Sequence, residues 1–379
     1  MNLRVDELLD AAKTKTGLAE FGDEWFVEPL RHLVHALDTE ARLSPTGLEL
    51  TRRRLVALLA DRLRLRALQR AHPQIRDLDV RVAAEICGLP RTGSTLLHRL
   101  LAASPQLTST LSWETSYPIP FPGEGPDAAE RKHRARERAR LFLELSPGFG
   151  DIHTISWDDA EEDVILVDRS FLSMSFESFY RVPSYGAYLR AADQTPAYRE
   201  LREWLQVLRW QDPSRAGRRW VLKSPHHLTA AGTVLDTFAG CRIVMTHRSP
   251  VRAVPSYASM VASMSAQYSE HVDPVAIGRY WSVRFAETLR AFDSVRRQRP
   301  DRFVDVRFDA MLHDPPAQAL KVLCALGLVP GGADELAFQR YLVRNRAERH
   351  GTHSYAPEDF GLSAAQLERD FSFYIKDYL

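Results

Sequence analysis

Gly88-Leu-Pro-Arg-Thr-Gly-Ser-Thr95 is the stretch of sequence that decides the fold. It lies between an apolar run, Val82-Ala-Ala-Glu-Ile-Cys87, and an amphipathic run, Leu96–Ala103. That order is typical of a strand, a turn that contains glycine, and a helix. Such a turn directs several backbone N–H groups at one point near the positive end of the helix dipole, so the segment predicts an anion-binding loop.

The spacing of this loop nearly matches the nucleotide-triphosphate pattern G-x-x-x-x-G-K-[ST]. Ser94 stands where that pattern has lysine, and a different cation, Arg91, lies inside the loop. A triphosphate loop uses its lysine on the terminal phosphates and its Ser or Thr on magnesium. Because the lysine is absent, we expect a phosphate ester that is bound by the loop but not cleaved as a triphosphate.

Composition narrows the class of protein further. The chain has 379 residues, of which 45% are hydrophobic and 26% charged, enough for a large core. A formal net charge of +1 gives no general reason to bind nucleic acid, so basic groups must act locally. The three cysteines (Cys87, Cys241 and Cys324) are too far apart for a metal or redox motif, and no apolar run could span a membrane. We therefore expect a cytoplasmic protein.

The pattern of apolar residues changes near residue 79. Before it, helical periodicity marks Val5–Ala12, Val27–Leu37 and Gly47–Leu68, which predicts a helical N-terminal extension over residues 1–78. After it, short apolar runs alternate with helical patterns: Val82–Cys87, Trp220–Leu222, Arg242–Met245 and Phe303–Val306. Residues 79–379 are therefore predicted to form an α/β domain of the P-loop type, with a mostly parallel sheet flanked by helices.

A cation lies at or shortly after the end of each of the other three predicted strands. Lys223, Arg248 and Arg307 come at or just after the ends of apolar runs. Ligands of open α/β sheets bind at the carboxyl ends of the strands. These positions, together with the loop, predict an anionic ligand with more than one phosphate.

The loop and the segments after the strands resemble those of a known family, the sulfotransferases that use 3′-phosphoadenylyl sulfate (PAPS). The resemblance is to a bacterial branch with an N-terminal helical extension in particular. Pro90–Leu96 is similar to the 5′-phosphosulfate loop of that family. His247-Arg248-Ser-Pro, followed by Ser256, is similar to its 3′-phosphate motif. The resemblance covers roughly residues 80 to 365, and three further segments recur in the branch: Trp113-Glu114, Leu222–Leu228 and Arg349–Gly361.

The resemblance implies PAPS as the sulfuryl donor, PAP as the product and no metal in the reaction. Arg91, which stands where animal cytosolic members carry lysine, would neutralise charge on the bridging oxygen as the S–O bond breaks. Lys223 would reach the transferring group. The implied cofactor-binding residues are Arg91, Thr92, Gly93, Ser94, Thr95, Arg248, Ser256, Arg349, His350 and Gly351.

A general base must take the proton of the acceptor hydroxyl, and Glu and His are the usual choices. By analogy with branches of the family, Glu114 is the first candidate and His153 the second. Glu161, Glu162 and Asp163 come third.

Two other classes of function stay open. A P-loop kinase would need lysine at position 94 and a magnesium-binding Asp at a strand end, but the run Thr246-His-Arg248 has no Asp. A protein that binds PAPS without turnover is the other. The acceptor is expected to be the hydroxyl of a small molecule, lipid or glycolipid, and a homo-oligomer is one option. Aromatic residues between Ile152 and Tyr188 predict either an apolar acceptor pocket or ordinary core packing.

Overall fold

A five-stranded parallel β-sheet forms the centre of the protein. The structure, a computed structural model, describes residues 3–145, 156–347 and 355–379. The strand order is β2-β3-β1-β4-β5, and every neighbouring pair is parallel. The strands are β1 (Val82–Gly88), β2 (Leu107–Thr108), β3 (Arg219–Lys223), β4 (Arg242–His247) and β5 (Phe303–Arg307).

Helices cover both faces of the sheet and account for most of the chain. The three predicted N-terminal helices are confirmed, each extending a few residues beyond its predicted end. No helix in the described part of the chain is long and apolar enough to cross a membrane. The α-helices of the described residues are Val5–Thr16, Val27–Thr39, Pro45–Ala71, Ser94–Ala103, Ser112–Ser116, Ala129–Leu145, Val164–Val167, Ser175–Phe179, Pro183–Ala191, Thr195–Gln211, Ala231–Thr237, Pro250–Ser265, Pro274–Gln298, Phe308–His313, Pro315–Ala325, Gly332–Ala347, Ala364–Asp370 and Ser372–Tyr378.

Burial on both faces explains why the strands have continuous apolar runs. Every residue of β1 is buried, and successive side chains point to opposite faces of the sheet. Ile86 belongs to a smaller core on one face, while its neighbour Cys87 belongs to a larger core on the other. The four predicted strands are confirmed, whereas β2, with only two residues, has too little sequence to show a pattern.

The N-terminal helices share the larger core with the residues that follow them. Ser44 caps the helix Pro45–Ala71, because its hydroxyl accepts a hydrogen bond from the Gly47 N–H at 3.0 Å. Arg62, in the same helix, is fully buried and pairs with Glu200 at 2.5 Å. Apolar contacts and a buried ion pair therefore attach this segment to the rest, and the division at residue 78 stays a prediction.

Parallel pairing brings the carboxyl ends of the strands to one edge of the sheet. β1 lies between β3 and β4, so the chain leaves β1 at the point where the strand order reverses. The register pairs Ile86 with Lys223 and His247 with Arg307. The loops after β1, β3, β4 and β5 therefore meet at this edge.

Candidate active site

The loop between β1 and the helix Ser94–Ala103 has the backbone shape of an anion cradle. Arg91 and Gly93 adopt the left-handed conformation, with φ of 68° and 83°. Gly88 allows the loop to start against β4, because a Cβ at this position would lie 2.5 Å from the carbonyl oxygen of Thr246. The helix then begins directly after the loop, so its first N–H groups face the edge of the sheet.

Thr92 braces this loop from the inside. The side chain is fully buried, and its hydroxyl donates to the Leu89 carbonyl at 2.7 Å. The same hydroxyl lies 2.6 Å from the hydroxyl of Thr246 on β4. Because its side chain is engaged in this way, the backbone N–H of Thr92 is the group that could make the predicted contact with a ligand.

Lys223 and Glu162 form an ion pair beside the start of the helix. The Lys223 ammonium lies 2.5 Å from Oε1 of Glu162 and 3.1 Å from Oγ1 of Thr95. Ser224 donates its hydroxyl hydrogen to Oε2 of Glu162 at 3.3 Å. The Lys223 side chain is 3% exposed, but that of Glu162 is 23% exposed, so the carboxylate presents an edge to solvent. We call Thr95, Glu162, Lys223 and Ser224 the lysine–glutamate centre.

The two predicted phosphate-binding segments touch each other. Arg91 Nε donates to the hydroxyl of Ser256 at 3.3 Å, and Arg248 Nη1 donates to the carbonyl of Arg91 at 2.6 Å. The guanidinium of Arg248 lies over the ring of Phe308, 4.0 Å from its centroid. Burial lowers the pKa of Arg91, and the nearby charge of Arg248 lowers it further. Two like charges held this close favour an anion between them.

A cavity of about 280 Å³ opens beside this contact. Burial lowers the pKa of Arg248 here, and the positive charge of Arg252 adds to that effect. Three arginines against one aspartate make the cavity electropositive. Its lining residues are His247, Arg248, Ser249, Arg252, Arg307, Phe308, Asp309 and Leu379, and we call it the arginine cavity.

Arg252 and Arg307 were not among the predicted cofactor-binding residues. The sequence held a signal for both, since Arg307 ends β5 and Arg252 follows the loop after β4. What the sequence did not reveal is that two exposed arginines on separate elements line the same cavity as Arg248.

Glu114, the first candidate for the base, is held by contacts of its own. Nη2 of Arg215 lies 2.7 Å from Oε1 and 2.9 Å from Oε2, and the Leu111 N–H donates to Oε2 at 2.9 Å. The residue is 4% exposed. These partners make Glu114 a buried cap of the helix Ser112–Ser116 and one half of a buried ion pair.

Several predicted residues lie outside the described residues: His153, Arg349, His350 and Gly351. The chain resumes at Tyr355, whose hydroxyl donates to the Arg252 carbonyl at 3.2 Å. The first described residue after this gap therefore lies next to Arg252, an arginine of the arginine cavity.

The adjacent histidines after β3 are core residues. His226 accepts a hydrogen bond at Nδ1 from the Met174 N–H at 3.1 Å, and burial, followed by the charge of His227, lowers the pKa of His226 to about 3. His227 is also fully buried. Neither ring has the exposed edge that a base for a bound acceptor requires.

Comparison with known proteins identifies the family. The profile described as "Sulfotransferase family" matches residues 85–329, a span that includes the loop, the lysine–glutamate centre, Arg248 and β5. The chain therefore belongs to the sulfotransferase family. It is an enzyme that transfers a sulfuryl group, as the sequence predicted.

Several mycobacterial sulfotransferases are among the relatives of this chain. The chain is 24% identical over 296 residues to the omega-hydroxy-beta-dihydromenaquinone-9 sulfotransferase Stf3 of Mycobacterium tuberculosis, covering 74% of this chain and 70% of the relative. The crystal structure of sulfotransferase STF1 from M. tuberculosis is 28% identical, with a TM-score of 0.86 over 98% of this chain and 99% of that one. Sulfotransferase STF9 from Mycobacterium avium is 23% identical, with a TM-score of 0.87 over 98% of this chain and 95% of that one. The predicted fold class is thus confirmed over nearly the full length.

Proposed function

We propose that this sulfotransferase takes its sulfuryl group from PAPS and passes it to a lipid hydroxyl by in-line displacement. The observation that supports this most strongly is the convergence, at one sheet edge, of an anion loop, an electropositive cavity and a lysine–glutamate ion pair. PAPS has a phosphosulfate at one end and a 3′-phosphate at the other. Two anion sites joined by the contact between Arg91 and Ser256 match such a ligand.

The loop would bind the 5′-phosphosulfate through its backbone N–H groups and the start of the helix Ser94–Ala103. Arg248 and Ser256 would bind the 3′-phosphate, with Arg252 and Arg307 adding positive charge from the rim of the arginine cavity. Arg349, His350 and Gly351 stay proposed for the same phosphate.

Lys223 and Arg91 would stabilise the leaving group. As the bond between sulfur and the bridging oxygen breaks, negative charge grows on that oxygen and remains on PAP. The Lys223 ammonium is already fixed by Glu162 and Thr95, so it needs little reorganisation to meet this charge.

We propose Glu162 as the base, ahead of Glu114 and His153. The acceptor oxygen attacks sulfur, its proton passes to the Glu162 carboxylate, and the sulfate ester and PAP are the products. Both carboxylates have bound oxygens, but the Glu162 side chain is 23% exposed and adjoins Lys223, whereas Glu114 is 4% exposed.

A hydroxylated lipid is the proposed acceptor, because the relative Stf3 is named for a hydroxylated menaquinone derivative. An apolar cavity of about 420 Å³ supports this proposal. Trp281 in its wall packs against Tyr257, the residue after Ser256, at a ring-centroid distance of 4.8 Å. Of the aromatic residues in the predicted stretch, Phe171 and Phe176 are fully buried core residues, whereas Phe179 and Tyr180 line this cavity. Residues from outside that stretch complete the lining, among them Leu43, Tyr268, Ile277 and Trp281.

The test is turnover of PAPS with a panel of hydroxyl-terminated isoprenoids, sterols and phenols. We expect PAP release together with an acceptor mass gain of one sulfuryl group, strongest for the lipids. Binding of PAPS without turnover on any acceptor would favour a binding protein, and absence of PAPS binding would overturn the proposal.

A further inference from the structure

Glu85 is an unusual residue for the middle of a central strand. It lies in β1 between Ala84 and Ile86 and has no exposed surface. Among the described residues, none donates a hydrogen bond of good geometry to either of its carboxylate oxygens. An isolated buried carboxylate is costly, so a positive partner is expected.

The buried side chains of Asp163 and His227 lie beside Glu85. Nε2 of His227 lies 3.2 Å from Oε2 of Glu85, and it lies 3.0 Å and 3.1 Å from Oδ2 and Oδ1 of Asp163. All three residues are fully buried, and one ligand atom of each lies within 4.8 Å of the others. A single ring nitrogen carries at most one hydrogen, so it cannot satisfy three carboxylate oxygens.

We propose that Glu85, Asp163 and His227 bind a divalent transition-metal ion, with Zn²⁺ the best fit. Zinc bonds of about 2.0–2.2 Å to nitrogen and oxygen place neighbouring tetrahedral ligands about 3.3–3.5 Å apart. The observed distances of 3.0 and 3.2 Å from Nε2 are close to that value. One imidazole with two carboxylates is a ligand set that zinc accepts.

Two of these three residues have hydrogen-bond partners of the kind that orient metal ligands. Nδ1 of His227 lies 2.6 Å from the Tyr198 hydroxyl, which fixes the ring and leaves Nε2 directed at the carboxylates. Asp163 Oδ1 accepts the Lys223 N–H at 3.2 Å, which orients that carboxylate. Partners of this kind hold metal ligands in place in other proteins, and two of the three side chains, His227 and Asp163, have one.

Charge balance favours the ion as well. Glu85 and Asp163 are two fully buried carboxylates at one place, and a divalent ion would neutralise the charge of both.

The ion would be structural and would take no part in sulfuryl transfer. Asp163 directly follows Glu162, and it accepts a hydrogen bond from the backbone N–H of Lys223. An ion that holds Asp163 would therefore help to fix the positions of both members of the lysine–glutamate ion pair. This inference goes beyond the proposed function and does not depend on it, because the metal can be measured without any acceptor.

The first test is the metal content of the full chain, purified without a metal-affinity step from zinc-supplemented culture. We expect about one Zn²⁺ per chain, and at least about tenfold less in Glu85→Leu and His227→Ala, because losing a ligand weakens a zinc site strongly. Glu177→Gln is the matched control, since Glu177 is a buried carboxylate in a different pair, with Arg284. Its zinc content should equal that of the wild type.

The second test keeps the proposal falsifiable where a variant folds poorly. Wild-type protein refolded with Zn²⁺ should melt at a higher temperature than protein refolded with a chelator, and Glu85→Leu should show no such difference. Wild-type protein that holds no divalent ion after refolding in excess Zn²⁺ would overturn the proposal. Glu85 would then be a protonated acid, and Glu85→Leu would raise the melting temperature by removing an unpartnered carboxyl.

Discussion

The two sides of the anion loop differ in how their charge is balanced. In the lysine–glutamate centre a cation meets a carboxylate at 2.5 Å, and a hydroxyl completes the contact. In the arginine cavity three arginines face one aspartate, and the charges of Arg248 and Arg91 disfavour each other. We propose that the difference separates two tasks: the unbalanced side would bind a dianion, and the balanced side would move a proton and support a leaving group.

The largest expected effect is on the balanced side. Glu162→Gln should lower kcat by about 100- to 10,000-fold while PAPS affinity stays within about threefold, because loss of a base removes proton transfer but no phosphate contact. Steady-state kinetics with PAP release would measure kcat, and calorimetric titration of PAPS without an acceptor would measure its affinity. The matched control is Glu161→Gln, an adjacent carboxylate. A normal kcat in Glu162→Gln would return the role of base to Glu114 or His153.

The buried pair of Glu114 and Arg215 should respond in stability. Glu114→Gln should lower the free energy of unfolding by about 2 kcal/mol, because it leaves the Arg215 guanidinium buried beside a neutral amide. The turnover of the folded variant should stay near that of the wild type. Chemical denaturation and kinetics would separate the two effects, and an unchanged stability with a lost kcat would reverse the order of the two glutamates.

The unbalanced side should respond in affinity. Arg248→Ala should weaken PAP binding by about 10- to 100-fold, the cost of losing charge-assisted hydrogen bonds to one phosphate, and should leave kcat at saturating PAPS largely intact. Adenosine 5′-phosphosulfate, which lacks the 3′-phosphate, is the matched ligand control. Equal losses of affinity for both ligands would show that Arg248 does not bind the 3′-phosphate.

The smallest expected effect belongs to the exposed rim of the arginine cavity. Arg307→Gln should weaken PAP binding only about two- to fivefold at low salt, and the loss should shrink at high ionic strength, because exposed charges are screened. Titrations at two salt concentrations would test this. A large loss that does not depend on salt would instead place Arg307 in direct contact with the phosphate.

Short-range patterns explain how much of the fold could be predicted. The loop at Gly88–Gly93 and the apolar runs that became β1, β3, β4 and β5 are local features, and the structure confirms each strand. Parallel strands also bring their carboxyl ends to one edge, which is why cations after three strands could be grouped before any contact was known.

The choice between Glu114 and Glu162 could not be predicted in this way. Spacing along the chain placed Glu114 first and left Glu162 in a third group. The partners that distinguish them are distant in sequence: Arg215 binds Glu114 from 101 residues away, and Lys223 binds Glu162 from 61 residues away. A carboxylate can serve as a helix cap or as a base, and its neighbours in space determine which.

The sequence by itself therefore determined the elements and their parallel arrangement, and it predicted an anion site with two phosphate-binding segments. These follow from hydrophobic period, glycine conformation and strand ends. Only the tertiary structure decided which charges are balanced. It paired Glu162 with Lys223 and Glu114 with Arg215, and it placed Glu85 beside Asp163 and His227. The physical reason is that burial and charge pairing depend on residues brought together by packing, at distances that no local pattern encodes.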